Sequence, residues 1–216
     1  MKQVLFALLC TLSFSANAQF LDCADFHGSL VKDVTVVDTA GKSYSGSINS
    51  VKRKKSLMQS FSLKTKDDER IDFEIGQIKI IYAKNTSLAR AGALGGTLQK
   101  MGKTKSINKK DTIEFVTVKN VDGDLMLLQV INPDFCSKIK VYGDPAAEKT
   151  VSWTGYDGGM EKSYYISKND QPVFRIFKKQ ADEKFPELFD DCPSLKGKTR
   201  TWENLDKYVM EYDTCK

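Results

Sequence analysis

From Leu30 onward the chain runs in short stretches where apolar and polar residues alternate. Val34, Val36 and their aliphatic neighbours predict a first strand over Leu30 to Asp38, and Ala40-Gly41-Lys42 a turn. Tyr44 to Val51, with Gly46 inside it, reads as the second strand. Leu57 to Leu63 is the third, with Phe61 and Leu63 on one face and Ser60, Ser62 and Lys64 on the other. Lys66-Asp67-Asp68 turns the chain, Ile71, Phe73 and Ile75 alternate with Asp72 and Glu74, and Ile78 to Tyr82 closes the set. Five short strands with tight turns predict a small closed barrel, because closure removes exposed edges.

A second β-rich stretch starts at Thr112. Ile113 to Val118 leads into Asn120-Val121-Asp122-Gly123-Asp124, whose Asp-Gly is the strongest hairpin signal in the chain. Leu125 to Ile131 returns, Asn132-Pro133 breaks, and Ile139 to Tyr142 forms another strand. Lys162 to Ser167 and Pro172 to Phe177 flank a second hairpin turn, Lys168-Asn169-Asp170-Gln171. Beyond it the period changes to helical. Phe177, Ala181, Phe185 and Leu188 share one face, with Pro186 expected to break or restart that helix. Asp191-Cys192-Pro193 reads as another helix start, and Thr201 as the cap of a last helix in which Leu205, Tyr208, Val209 and Tyr212 align.

The first residues change the picture. Lys2, the apolar run Val4 to Leu12 and the small residues ending in Ala16-Asn17-Ala18 form a secretory signal pattern, too short to span a bilayer. Cleavage after Ala18 gives a chain starting at Gln19. Cys10 follows Leu9 and Cys23 follows Asp22, so neither offers the small preceding residue that lipidation needs. The expected address is therefore exported, periplasmic or secreted, and not lipid-anchored.

Four cysteines remain after cleavage: Cys23, Cys136, Cys192 and Cys215. An even count in an exported chain points to disulfides. Four cysteines allow three pairings, and sequence alone does not choose among them. Proximity within the helical end favours Cys192 with Cys215, leaving Cys23 with Cys136. A zinc site lacks both a C-x-x-C pair and a histidine partner.

Composition then sets the class. With 216 residues, 41% of them hydrophobic and 28% charged, and a net charge of +5, this is an ordinary globular chain. The organisation expected is a signal peptide over 1–18 and a small barrel over 19–82. A basic, glycine-containing linker or marginal helix follows over 83–110, then a second β-rich unit over 111–177 and C-terminal helices over 178–216. The class is α+β: an SH3-like barrel, a β-rich unit and a helical end tied by a disulfide.

Two pieces of the chain carry a resemblance. One is Val34-Thr35-Val36-Val37-Asp38 with Gly41-Lys42-Ser43-Tyr44-Ser45-Gly46, ending at Ile78-Lys79-Ile80-Ile81-Tyr82. The other is Tyr164-Tyr165-Ile166, Phe177-Lys178-Lys179, Asp191-Cys192-Pro193 and Tyr212-Asp213-Thr214-Cys215. Together they resemble a group of small exported proteins of unassigned function from Gram-negative bacteria. In that group a V-x-V-x-x-x-x-G-x-x-x-x-G barrel piece precedes a helical end with a D-C-P motif and a terminal cysteine. The resemblance implies the exported address and the Cys192–Cys215 pairing, and carries over no catalytic residue. The first piece is also similar to SH3-like and Sm-like barrels, without the signatures of an RNA reader, so no nucleic-acid partner is expected.

Catalytic chemistry finds little footing. His27 is the single histidine, Ser29 is too near it to act as its nucleophile, and no G-x-S-x-G elbow occurs. The acidic groups Asp67-Asp68-Glu69, Asp182-Glu183 and Asp190-Asp191 sit at predicted turns and helix ends, where acids belong anyway. Asp122-Gly123-Asp124 offers two ligands where a calcium loop needs five or more. Gly92-Ala93-Leu94-Gly95-Gly96 lacks the Lys-Ser/Thr end of a phosphate loop. Trp153, Tyr156, Tyr164 and Tyr165 suit core or cross-strand pairs better than a sugar platform. No cofactor or metal is implied.

Charge placement is the standing feature. Between Glu74 and Asp111 there is no acidic residue, while Lys79, Lys84, Arg90, Lys100, Lys103, Lys105, Lys109 and Lys110 all fall there. Such a stretch suits contact with an anionic envelope surface or polymer, with Lys100, Lys103, Lys105, Lys109 and Lys110 as its contact residues. The expected function is a non-enzymatic binding or scaffolding protein of the cell envelope. The rival from another class is a hydrolase of envelope polymers using an unmarked carboxylate pair.

Overall fold

A computed structural model describes residues 19–24, 33–84, 112–148 and 161–216. Seven antiparallel strands form the larger sheet: β1 Val34–Asp38, β2 Ser43–Lys54, β3 Leu57–Thr65, β4 Arg70–Glu74, β5 Ile78–Lys84, β6 Thr112–Lys119 and β7 Leu125–Gln129. Their order is β4-β3-β2-β1-β5-β6-β7. The smaller sheet, in the order β10-β9-β8, holds β8 Ile139–Gly143, β9 Ser163–Lys168 and β10 Phe174–Phe177. Helices α1 Ala181–Phe189 and α2 Leu205–Asp213 follow. The class is α+β. No helix among the described residues is long and apolar enough to cross a membrane.

Alternation decides which side of each strand is buried. Val34, Val36, Ile48, Leu63, Ile81 and Ile113 face a first core on one side of the larger sheet. On its other side Met126, Leu128 and Val130 meet Tyr142 and Val173 of the smaller sheet. The smaller sheet turns Ile139, Val141, Ile166 and Ile176 toward Phe185, Phe189, Leu205 and Val209 of the helices. Two isolated bridges, Asn120 with Val173 and Val130 with Tyr142, stitch the sheets together.

The expected SH3-like closed barrel is not formed among the described residues. β5 pairs with β1 on one edge and β6 on the other, so β4 is left at the end of the sheet beside β3. That edge strand carries Arg70, Asp72 and Glu74, all exposed, and such charges discourage pairing with another chain. The strands expected in 111–177 divide between the two sheets, because β6 and β7 extend the first.

Both expected hairpin turns are present. Gly123 takes φ +92° while Asn120 Oδ1 accepts from the amides of Asp122 and Asp124. Asn169 and Asp170 are both left-handed, at φ 51° and 57°, the conformation a tight two-residue turn requires. Gly46 is needed for close approach, since a Cβ there would lie 2.1 Å from the Lys64 carbonyl oxygen. Gly46→Ala must push β2 from β3, and chemical denaturation should show a loss of about 3 kcal/mol.

The helical end departs from expectation in two places. Pro186 lies inside α1, which continues through it. The missing N–H forfeits one helical bond, and the buried Phe185, Leu188 and Phe189 hold the helix against the smaller sheet. Asp191-Cys192-Pro193 starts turns and no helix: the Cys192 carbonyl accepts from Leu195 and Lys196. Thr201 does precede the last helical stretch, yet its hydroxyl accepts from the Asn204 side chain and caps no backbone N–H. Cys192 and Cys215 are joined, with Cα atoms 5.9 Å apart.

Candidate functional site

Where the two sheets diverge they leave a groove of about 670 Å³, within the roughly 300–1,000 Å³ usual for ligand sites. Strand register builds its floor. Val37 pairs with Ile80, Ile80 with Val116, and Val116 with Leu128, giving one apolar row across β1, β5, β6 and β7. Four strands spaced about 4.8 Å apart make that row roughly 14 Å long. Val37, Ile80 and Val116 are only half-buried. Opposite them stand Tyr142 of β8 and Val173, just ahead of β10.

The rim is polar and uneven. Lys79 and Lys119 are exposed and form no ion pair among the described residues. Lys140 is held by Asp170, Nζ to Oδ1 at 2.6 Å. Tyr142, 3% exposed, lines the groove with its ring.

Burial pushes the Tyr142 phenol up to about 12, helped by the Asp170 carboxylate. The unfolded chain therefore loses this proton first, so stability is full below pH 10 and falls as pH rises through 12. The rise from 10.0 to about 12 corresponds to roughly 2–3 kcal/mol. Denaturation followed from about pH 9 to 12 should show this loss, and Tyr142→Phe should remove that part of it. Tyr164, stacked on Trp202 in the helical core, is raised further by burial and keeps its share of the loss.

A smaller hollow of about 250 Å³ lies against Cys23, Gln129, Gly143, Asp144 and Glu161. Its polar groups are engaged in structure. Asp144, with a side chain wholly buried, accepts from Ser163 Oγ at 2.5 Å, Arg175 Nε at 2.6 Å and the Ala146 amide at 2.9 Å. Gln129 accepts from the Ala24 amide and donates to the Asp22 carbonyl, clasping the residues that follow Ala18.

The second expected bridge, Cys23 with Cys136, is not made. Cys23 sits in the smaller hollow against Gly143, whereas Cys136 lines the groove and its thiol donates to the Pro133 carbonyl. The two sulfurs are built into different walls. Lys100, Lys103, Lys105, Lys109 and Lys110 lie outside the described residues, as do His27, Trp153 and Tyr156. The acidic runs are not brought face to face. Asp68 pairs with Lys64, Asp190 with Arg200, and Asp191 with both Lys168 and the Tyr212 hydroxyl. Desolvation would raise the Asp191 carboxyl, but the bonds from Lys168 and Tyr212 hold it below the usual carboxylate range. Among the described residues no cluster of three or more metal-ligating side chains occurs.

No family model matches this chain, and no curated protein or solved structure matches it.

The groove escaped a reading by alternation, though its signal is present in the chain. Val36-Val37, Ile80-Ile81 and Phe115-Val116 place apolar residues on both faces of their strands. A strand apolar on both faces needs a second cover. Here that cover extends over β6 and β7 and stops short of β1 and β5.

Proposed function

We propose that this chain is an exported, non-enzymatic binding protein of a cell envelope that receives its ligand in the groove between its two sheets. The observation that carries this reading is an apolar row of half-buried side chains facing the hydroxyl-bearing ring of Tyr142. Such a site, apolar with a few placed polar groups, is how small-molecule pockets are built. Export is supported by the secretory signal pattern of Lys2, the apolar run Val4 to Leu12 and Ala16-Asn17-Ala18. The acid-free stretch through Lys100, Lys103, Lys105, Lys109 and Lys110 adds attraction to an anionic surface, each lysine near it contributing on the order of 1 kcal/mol.

The protein recovered from outside the cytoplasm should begin at Gln19. A fluorescent apolar probe should bind it saturably, one per chain, and Ile80→Glu should abolish that binding while leaving the far-ultraviolet circular dichroism intact. Absence of saturable probe binding to the wild type would defeat the groove as a binding site. Replacing the five lysines by glutamine should separately abolish sedimentation with anionic vesicles at low salt, and equal sedimentation of the two proteins would defeat the surface contact.

A further inference from the structure

We infer that a second copy of this chain docks on the groove, each copy laying the tip of its β6–β7 hairpin on the uncovered floor of the other. This rests on the groove being the binding site and names the protein partner that competes for it. Among the described residues the large apolar side chains left exposed are Val121, at 67%, and Leu125, at 49%. Both belong to that one tip, on either side of Asp122, Gly123 and Asp124. The tip is also held in shape. Asn120 Oδ1 accepts from the amides of Asp122 and Asp124, and the Val121 amide donates to the Val173 carbonyl. A projection fixed in this way loses little conformational freedom on docking.

Charge selects the partner. The tip presents two exposed carboxylates, and the side of the floor nearest the hairpin presents two exposed cations, Lys79 beside Ile80 and Lys119 at the end of β6. None of these four forms an ion pair with another described residue. Hairpin and groove adjoin on one surface, since β6 passes from Val116 and Val118 on the floor directly into the tip. Two copies related by a two-fold axis therefore make both contacts at once. The acids of each tip meet Lys79 and Lys119 of the other copy, and each Val121 rests on the other's Val37 and Ile80. Glu114, on the opposite long side of the row, lies away from the entering tip. One tip falls short of the roughly 800 Å² per partner of a stable interface, and the exchange engages a tip and a floor on each copy. An unrelated acidic peptide would gain one such contact instead of two.

The test is sedimentation equilibrium of the full exported chain over a dilution series, with binding of the apolar probe measured in parallel. Wild type should pass from dimer to monomer on dilution. Apparent probe affinity should fall as the dimer fills, because tip and probe share one floor. Asp122→Lys/Asp124→Lys should weaken self-association about tenfold or more, since it sets cations against Lys79 and Lys119. Lys79→Glu/Lys119→Glu should do the same by setting carboxylates against carboxylates. An equimolar mixture of the two variants should associate again as a mixed dimer with both contacts restored, and that recovery shows both variants folded. Val121→Ser should weaken the dimer and leave the probe's affinity for the monomer unchanged. A wild type that stays monomeric throughout would overturn the proposal, while saturable probe binding would keep the groove as a site. A mixture that associates no better than either variant alone would also overturn it. A dimer whose formation leaves probe affinity unchanged would overturn the placing of the tip in the groove. If no probe binds even the dilute monomer, the groove falls and this inference with it.

Discussion

Asp144→Ala is expected to lower the stability of the folded chain by about 2–4 kcal/mol, because it strips the partner from a half-buried guanidinium and from a buried hydroxyl. The carboxylate has no solvent exposure, and Arg175 Nη2 lies 2.6 Å from it. Ser163, 2% exposed, gives its hydroxyl to the same oxygen. Removing Asp144 leaves a hydroxyl and a guanidinium without this partner at the junction of β8, β9 and β10. Arg175 packs against the Phe177 ring, 4.5 Å from its guanidinium carbon, with its side chain 31% exposed. Urea denaturation of the single variant and of Asp144→Ala/Arg175→Met separates the two contributions. The double variant should recover a large part of the loss, because it removes the stranded charge as well as its partner. Equal stability of the two variants would show that the stranded arginine is not the cause.

Cys192→Ala/Cys215→Ala should cost about 3 kcal/mol and lower the melting temperature by about 6–12 °C. The bridge closes a separation of 23 residues and ties the end of α2 to the turn after α1. Its loss lengthens the unfolded chain's freedom most where that chain would otherwise wander. Other bonds hold the same end: Asp213 Oδ1 accepts from the Ser137 amide and hydroxyl, and Lys138 donates to the Cys215 carbonyl. The C-terminal segment should therefore stay docked in the variant while global stability falls. Calorimetry under oxidising and reducing conditions checks this. Wild type under reductant should match the double variant, and an unchanged melting temperature would contradict the assignment.

Local elements were readable because each rests on residues close in sequence. The strands follow alternation, and the turns at Gly123 and Asn169-Asp170 follow the backbone freedom of those residue types. What depended on distant pairing was not readable. Whether β5 gives its second edge to β6 or leaves the sheet as a closed barrel is decided across residues 84 to 112, and no local pattern reports it. The Cys23–Cys136 expectation failed for the same reason, since a count of cysteines carries no geometry. Pro186 was misjudged because tertiary burial of Phe185 and Phe189 outweighs the loss of one backbone bond. The groove arises where a two-faced apolar strand set is covered on one part and open on another.

The most direct test of the binding claim is to map the apolar probe onto the isotope-labelled protein by amide chemical shifts. The account predicts saturable changes confined to Val37, Ile80, Tyr82, Val116, Val118 and Tyr142. Changes centred instead on Ala24, Gln129 and Asp144 would place the ligand in the smaller hollow and contradict the assignment of the groove.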